Sequence, residues 1–282
     1  MNSCQKYLSA CALALLTQAA FAQSAPALGS ASSFAVLSAA DNHGGAVTCT
    51  DSTVTGDVGS SGLAASVVQT NCVIDGAVVA PVSAKVVADF DAAYADFAAL
   101  PCGTTLTTLD GQTLAPGVYC IEAAATSTGS VLTLDGPADA TWIFKVGTLG
   151  TGALTGTNFS VLTPNGTPPS CNSVVWSVAE AATLTDSQFT GTILAGGAIT
   201  LTRGTFNGDA LAKAAVTLTG ATVIGCDNST PSNPQRQRCN QGVGNGSEGC
   251  DPGNSNQGNP FRSNDELGGT PGNPGRKGGN KK

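Results

Sequence analysis

A mostly β chain wound as a parallel solenoid is the fold this sequence predicts, and three observations carry the prediction. The segment from Thr183 reads TLTDSQFTGTILAGGAI, TLTRGTFNGDALAKAAV and TLTGATVIG, three pieces that begin at Thr183, Thr200 and Thr217 and align without a gap at a step of 17 residues. At that step apolar residues fall on apolar ones (Leu184, Leu201 and Leu218; Phe189, Phe206 and Val223) and glycine falls on glycine (Gly191, Gly208 and Gly225). Most of the remaining chain is short runs of Thr, Val, Ala, Leu and Gly broken by DG, NG, PG and TG turns. A repeat of this length built from short strands cannot bury its inner face alone, so its coils must stack on one another.

In chain order, residues 1–22 have the form of a secretory signal: a basic start with Lys6, an apolar run LSACALALLTQAA, and AFA ending at Ala22 as the cleavage site. The protein is therefore expected to be secreted. LSAC at Leu8–Cys11 imitates a lipoprotein box, but the apolar run follows Cys11 instead of preceding it, which argues against lipid attachment. No stretch of 18 or more apolar residues follows, so no membrane-spanning helix is expected.

Residues 23–226 form the expected solenoid domain. Removing the signal leaves eight cysteines, an even number that in an exported chain points to disulfides. Proximity along the chain suggests Cys49 with Cys72, Cys102 with Cys120, Cys171 with Cys226, and Cys239 with Cys250. No C-x-x-C pair occurs and His43 is the only histidine, so neither a metal nor a cofactor is expected. Within this body four basic residues (Lys85, Lys145, Arg203, Lys213) face 14 acidic ones, a balance with no electrostatic footprint for nucleic acid or an anionic membrane.

One helix is predicted over about 83–100, where Val82, Val86, Phe90, Tyr94, Phe97 and Leu100 recur at spacings of three and four. Ser83 suits the N-cap and Pro101 stops the helix. Residues 227–282 contain 12 Gly, 10 Asn and 6 Pro, with almost no branched apolar residues. Such a composition cannot offset the entropy of ordering, so a disordered tail is expected. Its basic end offers contact with a cell-surface polysaccharide, against the plainer reading of a solvated linker.

Side chains in a strand alternate between faces, so in the repeats Leu184, Leu201 and Leu218 point inward while the threonines on either side point out. Two parallel files result, one of Thr183, Thr200 and Thr217 and one of Thr185, Thr202 and Thr219. Coils stack about 4.7–4.9 Å apart and residues two apart in a strand lie about 6.6 Å apart, which makes a rectangular grid of methyls and hydroxyls. Threonine is stiff about χ1, so the array loses little entropy when a partner binds it. Each contact is weak, and only a partner with the same two-dimensional repeat, such as a crystal surface or a regular polysaccharide, would gain from all of them; ice has spacings near these. Threonine ladders also stabilise parallel strands with no ligand at all.

The chain resembles the microbial ice-binding-like proteins. The likeness runs in order through LGSASSFAVLSA, TVTGDVGSS, AKVVADFDAAYADFAAL, LAPGVYC, LTLDGPADATWIFKVG, CNSVVWSVAEAATLT and GTILAGGAITLTRGTFNGDALAKAAVTL, from Leu28 to about Cys226. The resemblance implies a right-handed β-helix of roughly triangular section with one long helix along a side and a flat face that binds ice. Some members carry a T-A/G-x-T/N motif on that face. Here Thr155–Asn158 (TGTN, with Thr155, Thr157 and Asn158 as candidates) and Thr219–Thr222 (TGAT) match it in full. Thr202–Thr205 (TRGT) departs at Arg203, a bulky cation expected to hold a crystal off a flat face, and Thr185–Gln188 (TDSQ) departs twice. The candidate ice-binding set is thus Thr155, Thr157, Asn158, Thr183, Thr185, Thr200, Thr202, Thr205, Thr217, Thr219 and Thr222, presented by a monomer.

Catalysis fits the residues poorly. Cleavage of an acidic polysaccharide wants clustered Arg and Lys, which this body lacks, and Asp75, Asp110 and Asp135 each precede glycine in what reads as a turn. No G-x-S-x-G occurs, and GDVGSSG lacks the lysine of a phosphate loop. The reading from another functional class is an extracellular adhesion or matrix module.

Overall fold

The computed structural model describes residues 25–137, 140–163 and 173–226; the expected signal peptide and tail, with Cys171, Cys239 and Cys250, lie outside the described residues. The body is a parallel β-helix. Its strands form one nine-stranded and one 13-stranded sheet, in which neighbouring strands pair in parallel across successive coils. A 17-residue coil shows the unit. Ala182–Thr190 runs along the larger sheet and bends at Asp186, and Thr192–Ala195 then returns along the smaller sheet. Glycine stands between them because the coils approach closely at that corner: a Cβ on Gly208 would lie 2.1 Å from the Gly191 carbonyl oxygen.

Order in space differs from order in the chain. Along the larger sheet the stack runs through Ala125–Thr128, Leu154–Thr157, Ala182–Thr190, Ile199–Asn207 and Val216–Thr219, and then continues into Val47–Thr50 and Val67–Thr70 from the beginning of the domain. The first coils therefore close one end of the stack, and the chain must travel to the other end before the remaining coils are laid down. Helix α1 (Ala84–Ala99) makes that journey. Its 16 residues span about 24 Å, close to five coil spacings.

Alternation along the nine-stranded sheet feeds two cores. Val36, Tyr119, Phe144, Trp176, Ile193 and Ala210 point into the solenoid, whereas Leu37, Val118, Ile143, Val175, Leu194 and Leu211 point outward and receive Val82, Val86, Phe90, Ala93 and Phe97 of the helix segment. Both faces of the sheet are thus buried, and the predicted apolar stripe finds its partner there. Tyr94 and Leu100 pack at its rim, with the Tyr94 hydroxyl donating to the Val178 carbonyl at 3.2 Å.

The helix begins and ends where expected, but its N-cap side chain is not used. Leu100 is the C-cap, ahead of Pro101. Lys145, only 7% exposed, donates to the Leu100 carbonyl, so a cation from the sheet satisfies the negative end of the helix dipole, and burial pushes its ammonium pKa down. Ser83 occupies the N-cap position, but its hydroxyl makes no capping bond; instead its carbonyl accepts from Val86 N–H at 3.0 Å.

Asp89 fastens this helix to the preceding turn (Gly29–Ser33). Its carboxylate accepts from Ser30 N–H at 2.7 Å, Ser30 O–H at 2.5 Å and Lys85 at 2.6 Å, and Gly29 leaves the room, since a Cβ there would stand 2.7 Å from Asp89 Oδ2. These donors hold the carboxyl well below the usual carboxylate range, with Lys85 the largest influence and Ser30 next. A depressed folded-state pKa gives stability that is present above the unfolded value, about 3.9, and is lost as pH falls through the folded one. Asp89→Asn is expected to lower the melting temperature at pH 7, and the gap from the parent should narrow steadily as the pH falls below about 4. A gap that stays constant down to pH 2 would refute the linkage.

Cys49–Cys72 and Cys102–Cys120 are bonded as proximity suggested. Cys226 is also disulfide-bonded, while Cys171 lies outside the described residues.

Candidate functional site

Seven coils of the 13-stranded sheet present two outward positions each. At the first stand Thr126, Thr155, Thr183, Thr200, Thr217, Thr48 and Val68; at the second stand Thr128, Thr157, Thr185, Thr202, Thr219, Thr50 and Thr70. In six of the seven coils the residues between and before them, among them Leu154, Leu184, Ile199, Leu201, Val216 and Leu218, are buried, which fixes the threonines outward; in the end coil Val67 is half-buried and Gln69 is exposed. At about 4.8 Å per coil the six steps cover about 29 Å, and the two files lie about 6.6 Å apart. Every file position is threonine except Val68, so the strip carries no ionisable group.

Beyond the second file each coil turns at a residue in the left-handed region. Gly129, Asn158, Asp186, Arg203, Gly220, Asp51 and Asn71 occupy this corner, all with φ between 48° and 62°. Glycine, asparagine and aspartate tolerate that conformation, and Arg203 is the exception. Its side chain is tied to the neighbouring coil: Nε and Nη2 donate to the two carboxylate oxygens of Asp186, each at 2.6 Å. The guanidinium holds the Asp186 carboxyl below its ordinary range. Asn71 likewise donates to Asp51 at 3.1 Å. The charged groups of this region therefore lie along the corner. The expectation that Arg203 stands on the flat strip is corrected, because the left-handed turn carries it past the second file.

Past the corner the outward position holds Val131, Ser160, Gln188, Thr205, Thr222, Thr53 and Val73. The sequence candidates are thus divided. Thr155, Thr183, Thr200 and Thr217 share one file and Thr157, Thr185, Thr202 and Thr219 the other; Asn158 sits in the corner; Thr205 and Thr222 are neighbours beyond it, in a mixed file. The two complete four-residue matches are also out of register. Thr155 aligns with Thr217 and Thr157 with Thr219, so Thr155–Asn158 ends in the corner while Thr219–Thr222 straddles it. A short pattern in an alternating threonine-rich strand fits at either outward position, and strand pairing alone selects between them.

Thr48, Thr50, Thr70, Thr126 and Thr128 were not among the candidates. For the first two a signal existed: AVTCTDSTV from Ala46 matches AVTLTGATV from Ala215 at six of nine positions, and these strands are adjacent. Thr126 and Thr128 escaped because the step from Thr126 to Thr155 is 29 residues and that from Thr155 to Thr183 is 28. Coil length varies through the turns while the rung positions do not.

The profile of the family described as Ice-binding-like matches residues 42–224, a range that contains all seven rungs. The chain belongs to that family. A curated ice-binding protein from Nostoc sp. (strain HG1) is 36% identical over 176 residues, 60% of this chain, and the match spans 61% of that relative's length. Among solved structures, an ice-binding protein from an Antarctic biological consortium superposes with a TM-score of 0.63 at 28% identity, covering 72% of this chain and 92% of the other. One from the Antarctic ascomycete Antarctomyces psychrotrophicus gives 0.62 at 32% identity, covering 71% and 98%.

A concavity of about 250 Å³ among the described residues lies between α1 and the nine-stranded sheet, away from the files. Tyr94, Ala98, Lys145 and Ser177 line it. Lys145 serves there as the helix cap described above. Asp110, expected to bond its own turn, instead accepts from Ser130 O–H at 2.6 Å, a tie between separate turns.

Proposed function

We propose that this protein, exported by way of residues 1–22, adsorbs to ice through the two threonine files and thereby inhibits crystal growth or recrystallisation without chemistry. One observation carries the reading: seven coils hold threonine in strict register at 13 of 14 outward positions, with the nearest charges paired along the corner. A ligand of molecular size would touch two or three of these side chains and gain little, because each hydroxyl contributes only about 0.5–1.5 kcal/mol net. A crystal engages all of them at once, so weak contacts add without further loss of freedom. The stiffness of threonine about χ1 and the continuous backbone pairing beneath it preorganise the grid. Family membership and the relatives described as ice-binding proteins support the same reading.

Purified chain, partitioned during slow growth of polycrystalline ice, is expected to concentrate in the ice fraction and to keep grains small in an annealed frozen sucrose film. Exclusion from ice together with coarse grains would refute the proposal.

A further inference from the structure

Four basic residues occur in the body, and three serve the helix side: Lys85 pairs with Asp89, Lys213 with Asp91, and Lys145 caps α1. Arg203 alone stands on the 13-stranded sheet, one residue from Thr202 in the second file. It is 60% exposed at the side chain, so its place is set by its partner and not by packing. The neighbouring coil on the far side from Asp186 offers it space. Gly220 has no side chain, and a Cβ there would lie 3.4 Å from Arg203 Cγ. Thr219 of the second file adjoins that gap.

We infer that Asp186 is a positioning residue for the threonine strip: its two-point grip keeps the Arg203 guanidinium along the corner, and without it the cation swings over Thr202 and Thr219 and holds a flat solid away. The inference rests on the proposed ice adsorption. The forked geometry matters, since two parallel N–H···O bonds fix direction as well as distance. Exposed pairs of this kind contribute little to folding, so the role proposed is steric control of a surface and predicts a phenotype separate from stability. Arg203 also occupies a backbone conformation that asparagine tolerates, which supplies a replacement without the cation.

The test is a double-mutant cycle in full-length secreted protein, read as the concentration giving half-maximal inhibition of recrystallisation, with thermal melts alongside. Asp186→Ala should require roughly five- to tenfold more protein, as expected when one rung and its neighbours are lost from a multivalent strip. Arg203→Asn should match or exceed the parent. The double variant should regain the Arg203→Asn level, and Asp186→Glu, which keeps a carboxylate, should stay near the parent. Asp186→Ala and Asp186→Glu should melt together, a few degrees below the parent, because neither residue type favours the left-handed backbone at position 186, so that only the carboxylate separates them in the ice assay; Arg203→Asn should melt no lower than the parent. An unchanged Asp186→Ala, or a double variant as poor as Asp186→Ala, overturns the inference while leaving ice adsorption standing. A parent chain inactive on ice overturns both.

Discussion

Thr200→Tyr removes ice partitioning and recrystallisation inhibition while the melting midpoint stays within about 2 °C of the parent. Thr200 lies at the centre of the first file, between Thr183 and Thr217 and across the strand from Thr202. A phenol ring there stands several ångströms proud of its neighbours, so a flat solid rests on the ring and loses contact with the adjacent rungs together. The fold does not notice, because the inward residues on either side, Ile199 and Leu201, are untouched and at most 2% exposed. Thr222→Tyr, beyond the corner, should cost far less. Full activity in Thr200→Tyr with loss in Thr222→Tyr would move the site to the next side of the coil. Parallel loss of fold and activity in Thr200→Tyr would place that threonine inside.

The second large effect is opposite in kind. Phe144 is fully buried in the solenoid, stacked on Trp176 at 3.9 Å and on Tyr119 at 5.7 Å between ring centroids. Trp176 continues the line to Phe189 at 4.9 Å, and Phe189 to Phe206 at 5.6 Å. One aromatic column thus connects successive coils from within. Phe144→Ala empties one link and should cost about 3–5 kcal/mol, because neighbours held by backbone pairing cannot collapse into the gap. For a domain of this size that lowers the melting midpoint by about 6–20 °C. Ice partitioning measured in the cold, where the variant is still folded, should persist, since the threonine files belong to the other sheet. A parent-like thermal melt would show that the column is not a stabilising element.

Much of this architecture could be read from residues alone, for local reasons. The 17-residue step exposed the central coils because Leu184, Leu201 and Leu218 must all face inward, and alternation then forces the flanking threonines out. The helix was legible because spacings of three and four place Val86, Phe90 and Phe97 on one stripe. Proximity along the chain suggests the disulfide between Cys49 and Cys72, which joins two coils that stack directly. Ser83 stands at the N-cap as its type and position suggest, yet its hydroxyl is not used; whether a side chain caps depends on how the preceding segment enters, which its identity does not encode.

Local pattern by itself determined that strands of this chain wind into a threonine-faced solenoid with one amphipathic helix, because periodicity and side-chain volume act over a few residues. Tertiary pairing alone decided how long the face is, by stacking Val47–Thr50 on Val216–Thr219 across some 170 residues of chain, and which threonines share a plane. It also decided that Arg203 leaves that plane. Those outcomes depend on register between distant strands and on the sign of one backbone angle, and neither is written in any short stretch of residues.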